Sequence, residues 1–347
     1  MHMADSLLSP VVGTAMCAVS AAAIGYSVSK IKKDDLCEKK IPIIGVMGAF
    51  VFAAQMINFT IPATGSSGHI GGGILLAAMI GSFPALLSLT AVLIIQCLFF
   101  ADGGLLALGC NIFNMGVIPC LIVYPLLYKP LVNKGITVAR ITTASIAAVV
   151  VALQLGAFSV VLETLFSGIT ELPFTAFVLL MQPIHLAIGI VEGIITAAVL
   201  CFVYKMRPEI MVSSFVRTAI KKETPIKNVL ITLAIITLIT GGLLSWFASE
   251  HPDGLEWSIK NITGSTELET ESKFLEGAAS IQKKTAFLPD YNFLDADKEE
   301  SAAGTTLAGI LGGIFTFLLA GISVLIISVV KKKQNEKQMG TSKNFSF

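Results

Sequence analysis

Long runs of apolar residues, separated by short segments that hold most of the charge, dominate the chain. A helix needs about 20 apolar residues to cross the hydrocarbon core of a bilayer, and eight runs reach or approach that length. They lie at about residues 9–29, 41–61, 85–101, 105–128, 140–165, 175–205, 226–248 and 305–330. A shorter apolar stretch at residues 69–84 has Gly81 and Pro84 at its end, which predicts a short or re-entrant helix. The pattern therefore predicts an all-α polytopic membrane protein with about nine membrane segments.

The charged segments between the runs predict the orientation. Most basic residues lie in four segments, at residues 30–40, 129–140, 205–222 and 331–333. With nine membrane segments, all four fall on one side, which the positive-inside rule assigns to the cytoplasm. Residues 249–304 hold 12 Asp and Glu against 5 Lys, a net charge of −7, and fall on the opposite side. We therefore expect an external amino terminus and a cytoplasmic carboxyl terminus.

Residues 1–25 also have some features of a secretory signal peptide, because VSAAA resembles a cleavage site. Signal peptides begin with a positively charged segment, whereas the first basic residue here, Lys30, follows the apolar run. A helix with this charge distribution inserts with its amino end exported. We therefore expect the first helix to be retained, with Met1 at its outer end.

Composition excludes several classes of function. The chain is 54% hydrophobic and 14% charged, against roughly 25% charged in soluble domains, and its net charge of +1 gives no reason to expect nucleic acid as a partner. The six cysteines lie in or beside apolar runs without a CxxC pair, so we interpret them as small apolar residues. GxxxxGK[ST], HExxH and GxSxG motifs do not occur, so we expect no enzyme, and any ATPase must be another chain.

The first two residues are the strongest candidates for metal chemistry. The amine of Met1, the amide nitrogen of His2 and the His2 imidazole can close fused chelate rings on one ion. An imidazole from His69, on the same predicted side, would complete a planar set of four nitrogens, which suits Ni(II) or Cu(II). The amine and the amide must lose protons to bind, so affinity should fall at low pH. A helix-capping loop with an incidental His69 is the alternative.

Polar residues inside membrane runs usually mark a pathway or a contact between helices. The candidates for a supporting or pathway role are Gln55, Asn58, Gln96, Asn111, Asn114, His185 and Glu192. His185 and Glu192 are seven residues apart and therefore share a helix face. Such residues can fix the tautomer of an imidazole ligand, or they can simply join helices by hydrogen bonds worth about 0.6 kcal/mol each. We do not expect them to be direct ligands.

Small residues recur every fourth position in IGVMGAFVFAA, at Gly45, Ala49 and Ala53. Such a stripe lets another helix approach closely. The partner could be a helix of the same bundle or a separate membrane subunit.

Several segments together resemble a known family. The initial MH, QMINFTIPATGSSGHIGGGILLAAMIGS, FADGGLLALGCNIFNMGVIP and PIHLAIGIVEGIITA are similar to the metal-specific substrate-binding membrane subunits of energy-coupling-factor transporters, of the CbiM and NikM type. This likeness spans residues 1 to about 207. HPDGLEWSIKNITGS and FLPDYNF resemble the PDGLE segment of the small accessory NikN subunit. The chain thus resembles a natural NikM–NikN fusion.

The resemblance implies an architecture and a set of boundaries. A six-helix core with one extra amino-terminal helix would be followed by two transmembrane helices that flank an external segment. The implied regions are the metal-binding domain at 1–207, a cytoplasmic linker at 208–225, the PDGLE-like region at 226–331 with its external segment at 249–304, and a cytoplasmic tail at 332–347. The departures are local: residues 3–9 lack the usual start of the family, and TIPATGSSGH differs slightly around its glycines.

The resemblance also implies a function. Ni(II), or Co(II), would be bound outside by Met1, His2 and His69 as a transported substrate, with no resident cofactor. A separate transmembrane scaffold subunit, docked on Gly45, Ala49 and Ala53, and two ATPase subunits would drive import across a prokaryotic inner or plasma membrane. The PDGLE-like region and the planar donor set favour nickel over cobalt. A self-sufficient secondary permease is the alternative, although we find none of the inverted repeats it predicts.

Overall fold

Helices make up almost all of the structure, a computed structural model that describes residues 1–31, 39–221, 223–266, 268, 273–293 and 302–343. The helices are α1 (Pro10–Lys30), α2 (Lys40–Gln55), α3 (Gly73–Ile80), α4 (Ser82–Phe100), α5 (Leu108–Ile112), α6 (Lys129–Asn133), α7 (Val138–Ser167), α8 (Phe174–Met206), α9 (Pro208–Val216), α10 (Lys227–Gly242), α11 (Gly254–Thr263), α12 (Lys273–Thr285) and α13 (Ala302–Lys343). The predicted fold class is confirmed.

Six of the helices in the described part of the chain are long and apolar enough to cross a membrane. They are α1, α4, the continuous helix Leu108–Asn133, α7, α8 and α13. The other two predicted spans, α2 and α10, are apolar helices of 16 residues each. Sixteen residues rise about 24 Å, whereas the hydrocarbon core is roughly 30 Å thick. These two helices therefore need their flanking residues to cross it.

The helix Leu108–Asn133 widens along its middle. A π-type stretch over Phe113–Tyr128 joins α5 to α6 and contains Pro119 and Pro125. Proline has no N–H and its ring collides with the preceding turn, and wider turns relieve both problems inside a membrane. The ring of Pro119 lies so close to α3 that a Cβ on Gly73 would come within 2.5 Å of it.

The segment after α2 departs from the predicted span, which was expected to continue to residue 61. The helix ends at Gln55, and the chain forms an antiparallel hairpin of β1 (Phe59–Ile61) and β2 (Ser66–Gly68). Gly65 takes a φ of 71° in its turn. The second strand leads directly into His69, and α3 then begins after Gly72 with a φ of 76°. The short helix predicted at residues 69–84 is α3, separated from α4 by Gly81.

The small-residue stripe of α2 lies against the last helices of the same chain. A Cβ on Gly45 would come within 2.8 Å of the Phe317 ring on α13. The Cβ of Ala53 lies 3.2 Å from the Cβ position of Gly241 on α10, and Ala49 is also buried. The stripe therefore packs the bundle internally, and docking of a separate subunit on it stays a prediction.

The basic segments gather at one end of the bundle. Lys39 Nζ donates to the carbonyl of Thr224 at 2.6 Å, and Arg217 donates to the carbonyl of Lys30 at 2.7 Å. Lys331 Nζ donates to the carbonyl of Ser29 at 3.1 Å. The segments assigned to the cytoplasm are thus neighbours. Residues 32–38 of the first one, which include Cys37, lie outside the described residues.

Three helices lie in regions that were predicted only as a linker or an external segment. Helix α9 follows α8 within the predicted linker, and α11 and α12 lie within residues 249–304. Asp253 caps α11: its carboxylate accepts from the backbone N–H groups of Leu255 and Glu256, and the Glu256 side chain accepts from the Asp253 N–H. This capping box is a common start of a helix, and it fixes Asp253 in the site described next.

Candidate metal centre

Residues 1–5 are held against the rest of the protein by hydrogen bonds of the Met3 backbone and the Asp5 side chain. Met3 is fully buried, and its N–H donates to Asn111 Oδ1 at 2.8 Å. The carbonyl of Met3 accepts from Asn111 Nδ2 at 3.2 Å and from the N–H of Gly104 at 2.9 Å. Asp5 accepts from the N–H of Ala107 at 2.9 Å. These bonds to α5 and the loop before it hold Met1 and His2 in place. They use no nitrogen atom of Met1 or His2.

His69 faces the amino terminus with a nitrogen lone pair. Its Nδ1 lies 3.0 Å from the carbonyl of Ile70, which can only accept, so Nδ1 carries the proton. The other ring nitrogen, Nε2, lies 3.0 Å from the amine nitrogen of Met1. Burial, together with the amine and His2, lowers the pKa of His69 well below its ordinary 6.5. The ring is therefore neutral at pH 7, in the tautomer that a metal ion binds.

Both ring nitrogens of His2 face hydrogen-bond acceptors. Burial, with Asp102 beside it, raises the pKa of Tyr291 well above 10, so its hydroxyl stays protonated and donates to Asp102 Oδ2 at 2.5 Å. Gln96 Nε2 donates to the Tyr291 oxygen, at 3.3 Å, which turns Gln96 Oε1 towards His2 Nε2 at 3.2 Å. The other ring nitrogen, Nδ1, lies 3.2 Å from Asp102 Oδ1, so either ring nitrogen can carry the proton of the neutral ring.

Nδ1 of His2 is the ring nitrogen that the chelate needs. Burial lowers the pKa of His2 below 6.5, although Asp102 opposes the effect, and the ring is neutral at pH 7. A ring protonated at Nε2, towards Gln96, leaves the Nδ1 lone pair for a metal ion. The His2 ring also stacks on that of His69, with centroids 5.1 Å apart and an angle of 19° between the planes.

The backbone nitrogen of His2 is the third potential donor. Over the residues that the structure describes, no acceptor is hydrogen-bonded to this N–H. In the same part of the chain, no three His, Cys, Asp or Glu side chains lie close enough to hold a metal ion. A site here must therefore draw on the amine and amide of the amino terminus as well as on imidazoles.

Asp253 completes the contacts of the amine. Its Oδ2 lies 2.5 Å from the Met1 nitrogen, and both groups are largely buried. Burial alone would raise the pKa of Asp253, but the amine of Met1 and His69 hold it well below its usual range. The sequence alone does not identify Asp253 or Asp102 as site residues. Both lie in segments that carry the family resemblance, and their acidic type at the end of an apolar run is the signal that could have marked them.

Residues 249–257, which we call the strap, hold Asp253 over the His69 loop. The backbone N–H of Ser67 donates to the carbonyl of Pro252 at 2.8 Å, and its hydroxyl donates to the carbonyl of His251 at 2.7 Å. The indole of Trp257 donates to the carbonyl of Thr64 at 2.9 Å. The strap and the hairpin therefore form one connected layer over the site.

The other predicted polar residues divide into four groups. Gln96 and Asn111 contact the first three residues directly, as described. Gln55 Nε2 donates to the carbonyl of Gly71 at 2.9 Å, and Glu192 Oε1 accepts from the N–H of Gly72 at 2.9 Å. These two side chains position the backbone that follows His69. The backbone carbonyl of Asn58 accepts from the N–H of Ser249 at 2.7 Å, which joins the hairpin to the start of the strap.

Asn114 and His185 do not touch the amino-terminal nitrogens, but they line a cavity of about 40 Å³ that also reaches Met1, His69 and Glu192. Two wider cavities, of about 500 and 320 Å³, approach the site from the other side. The acidic residues common to both are Asp102, Asp253, Glu256 and Asp290. Openings lined with this charge concentrate cations.

Comparisons with known proteins identify the family of the chain. The CbiM family, described as the cobalt uptake substrate-specific transmembrane region, matches residues 2–210, and the PDGLE domain matches residues 227–329. A putative fused nickel transport protein, NikMN, of Archaeoglobus fulgidus is 30% identical over 92% of this chain and 96% of its own length. A probable fused nickel transport protein, LarMN, of Lactiplantibacillus plantarum is 32% identical over 76% of this chain and 79% of its own.

The solved structures point the same way. A crystal structure of a transition metal transporter superposes with a TM-score of 0.52 at 30% identity, covering 62% of this chain and all of that one. A truncated transition metal transporter gives the same TM-score at 28% identity, over 59% of this chain and 99% of its own.

Proposed function

Because the chain belongs to the CbiM family, in a form fused to a PDGLE domain, we propose that this metal-transport membrane component captures Ni(II) for an energy-coupling-factor importer. The donors are the amine of Met1, the amide nitrogen and Nδ1 of His2, and Nε2 of His69. The ion is the transported substrate. Nickel is preferred to cobalt because four nitrogens in a plane suit Ni(II), and because the fused relatives are named as nickel transport proteins.

The observation that carries the proposal is the unprotonated imidazole nitrogen of His69 that faces the amino terminus. His69 Nε2 lies 3.0 Å from the Met1 amine, and the buried His2 ring stacks on the His69 ring. The chelate ring through the His2 amide has six members when it closes on Nδ1. Gln96 Oε1, 3.2 Å from His2 Nε2, can accept the proton in the tautomer that this ring requires.

Metal binding changes the contacts of the amine. A protonated amine cannot bind a metal ion, so the ion must displace its proton and replace its contact with Asp253. Asp253 and Asp102 then supply negative charge close to the bound cation, which lowers the electrostatic cost of holding it in a buried site.

The energy source lies on other chains in this proposal. ATP hydrolysis by two partner subunits, coupled through a membrane scaffold subunit, would release the ion towards the cytoplasm. The chain has no phosphate-binding loop of its own. A scaffold that docks on Gly45, Ala49 and Ala53 requires α10 and α13 to move aside, since they cover that stripe. The gathering of the basic segments at the opposite end supports a metal site that faces outwards.

The direct test is Ni(II) binding by the purified full chain, with intact mass measured alongside to show that Met1 is the mature amino terminus. We expect one tightly bound ion and an absorption band of square-planar Ni(II). His2→Ala removes one of four donors and both contacts of the ring, and should weaken binding at least 100-fold.

His251→Ala is the matched control. This histidine lies in the strap, but its exposed side chain is outside the donor set, and only its carbonyl contacts the hairpin. The control should bind as the unchanged protein does. Equal affinity of the His2→Ala variant, or an octahedral spectrum with no amine or amide ligation, would refute the terminal chelate.

A further inference from the structure

Beneath the candidate metal centre, the cavity of about 40 Å³ continues into the bundle. Its outer end is formed by Met1, His69 and Asp253, and its inner part reaches Glu192, the nineteenth residue of the 33-residue helix α8. A water molecule needs roughly 10–15 Å³ of such volume. The space therefore has room for an ion with very few water molecules, but not for a fully hydrated one.

Three polar side chains that line this cavity have an atom without a partner. His185, Glu192 and Asn114 are 1%, 2% and 2% exposed, respectively. The unpartnered atoms are Nε2 of the imidazole, Oε2 of the carboxylate and Oδ1 of the amide. Buried polar atoms are nearly always satisfied, so three in one small cavity require a specific reason.

All three atoms are acceptors. His185 Nδ1 lies 2.8 Å from the carbonyl of Met181 and must donate to it, which leaves a lone pair on Nε2. Asn114 uses its amide nitrogen on Glu163, at 2.8 Å, so its free atom is the carbonyl oxygen. Glu192 already accepts from the N–H of Gly72 through its other oxygen. Each of these atoms can ligate a cation, and water molecules in the cavity can complete its coordination.

We propose that this cavity is an inner transit path for a divalent transition-metal ion, along which His185 Nε2, Glu192 Oε2 and Asn114 Oδ1 each offer a lone pair and water completes the coordination. The inference rests on the proposed function, since it gives the captured ion its first position on the way inwards. An imidazole and a carboxylate are ordinary ligands for Ni(II), Co(II) and Zn(II). Intramembrane ionisable residues of this kind generally mark an ion path.

The inner site should bind weakly, which is what transit requires. A site along a permeation path must attract the ion without trapping it. His185 and Glu192 are seven residues apart, about 10.5 Å along the helix axis, and no third His, Cys, Asp or Glu among the described residues joins them. The donor set is therefore smaller than that of the outer centre, and it contains no chelate ring.

The test is a titration of the full chain in lipid nanodiscs with radioactive Ni(II), followed past one equivalent by equilibrium dialysis and magnetic susceptibility. The first ion should be diamagnetic, as square-planar Ni(II) is. A second should bind at least 100-fold more weakly and be paramagnetic, because oxygen ligands and water favour a higher coordination number. Absence of the first, diamagnetic ion would count against the proposed function and would leave the second ion to be measured independently.

Two variants connect the second ion to this cavity. Glu192→Gln keeps the shape and the bond to Gly72 but loses the charge, and His185→Leu removes the imidazole. His185→Leu should retain the first ion, and each variant should weaken the second at least tenfold. Gln182→Ala is the control on the same helix, because Gln182 pairs reciprocally with Gln154 outside the cavity. It should change neither ion.

The opposite results would overturn the inner site. They are the absence of a second ion, or a second ion whose affinity is unchanged by both Glu192→Gln and His185→Leu. The latter result would assign weak binding to the acidic segment 249–304.

Discussion

Two segments from distant parts of the sequence meet at His69, and they are held in different ways. Residues 1–5 are fixed by the Met3 backbone, bonded to Asn111 and Gly104, and by the Asp5 side chain, bonded to Ala107, and they present nitrogen atoms. The strap is fixed by hydrogen bonds to the hairpin and presents a carboxylate. The first segment can supply ligands only in one covalent register, whereas the strap contributes charge and cover. Disturbing the first should therefore abolish binding, and disturbing the second should adjust it.

The largest effect is expected from one alanine inserted between Met1 and His2. The amine then moves one residue away from the His2 amide, the fused rings cannot close, and the contacts of Met3 and Asp5 hold the remainder in place. We expect Ni(II) affinity to fall at least 1000-fold, measured by equilibrium dialysis of the purified protein.

An alanine inserted between Ile169 and Thr170, in the loop between α7 and α8, is the matched control and should bind normally. If the Met1–His2 insertion binds Ni(II) as tightly as this control, the covalent register is irrelevant and the two segments do not differ in the way described.

Lowering the pH should weaken Ni(II) binding by residues 1–5 and leave the charge of Asp253 in the strap unchanged. The pKa values of His2 and His69 are lowered by burial, so neither ring is mostly protonated until the pH is below 6.5. The carboxyl of Asp253 stays ionised throughout, because the amine and His69 hold its pKa down despite burial. Binding must instead release protons from the amine and the amide, and each proton released lowers the affinity about tenfold per unit fall in pH.

We therefore expect Ni(II) affinity to fall by up to about 100-fold per pH unit between pH 8 and pH 6, with proton release measured calorimetrically in buffers of different ionisation enthalpy. A flat profile without proton release would mean that imidazoles alone bind the ion.

Sequence patterns predict much of this arrangement because its determinants are local. Apolar runs predict the order of the long helices, although α2 ends before its run and α13 extends beyond its run. The glycines and proline of TIPATGSSGH predict the turn, and covalent geometry makes Met1 and His2 a candidate chelate. The proximity of His69 is found in the structure, while its metal binding stays a prediction.

The parts that could not be predicted depend on long-range packing. Asp253 reaches the amine from 252 residues away, and no local pattern specifies that distance. The cover of the α2 stripe by α10 and α13 is similarly a tertiary result. The free lone pairs of His185, Glu192 and Asn114 in the inner cavity depend on which atom of each side chain is already bonded. Spacing along a helix does not give that information.

The smallest effect should come from the strap, with Asp253→Asn. Asparagine is as good a helix cap as aspartate, so α11 keeps its start and the strap keeps its bonds to the hairpin. The variant loses the negative charge beside the amine. That charge attracts the metal ion, but as the ion-pair partner of the amine it also competes with the metal ion for the amine. Because these effects oppose each other, we expect affinity to fall only about tenfold, mainly through slower association.

Glu250→Gln is the control: it removes the same charge from an exposed position in the strap and should change the association rate less than twofold. Stopped-flow absorbance measures both rates. Loss of binding as complete as that caused by the Met1–His2 insertion would make Asp253 a ligand, and the difference between the two segments would then disappear.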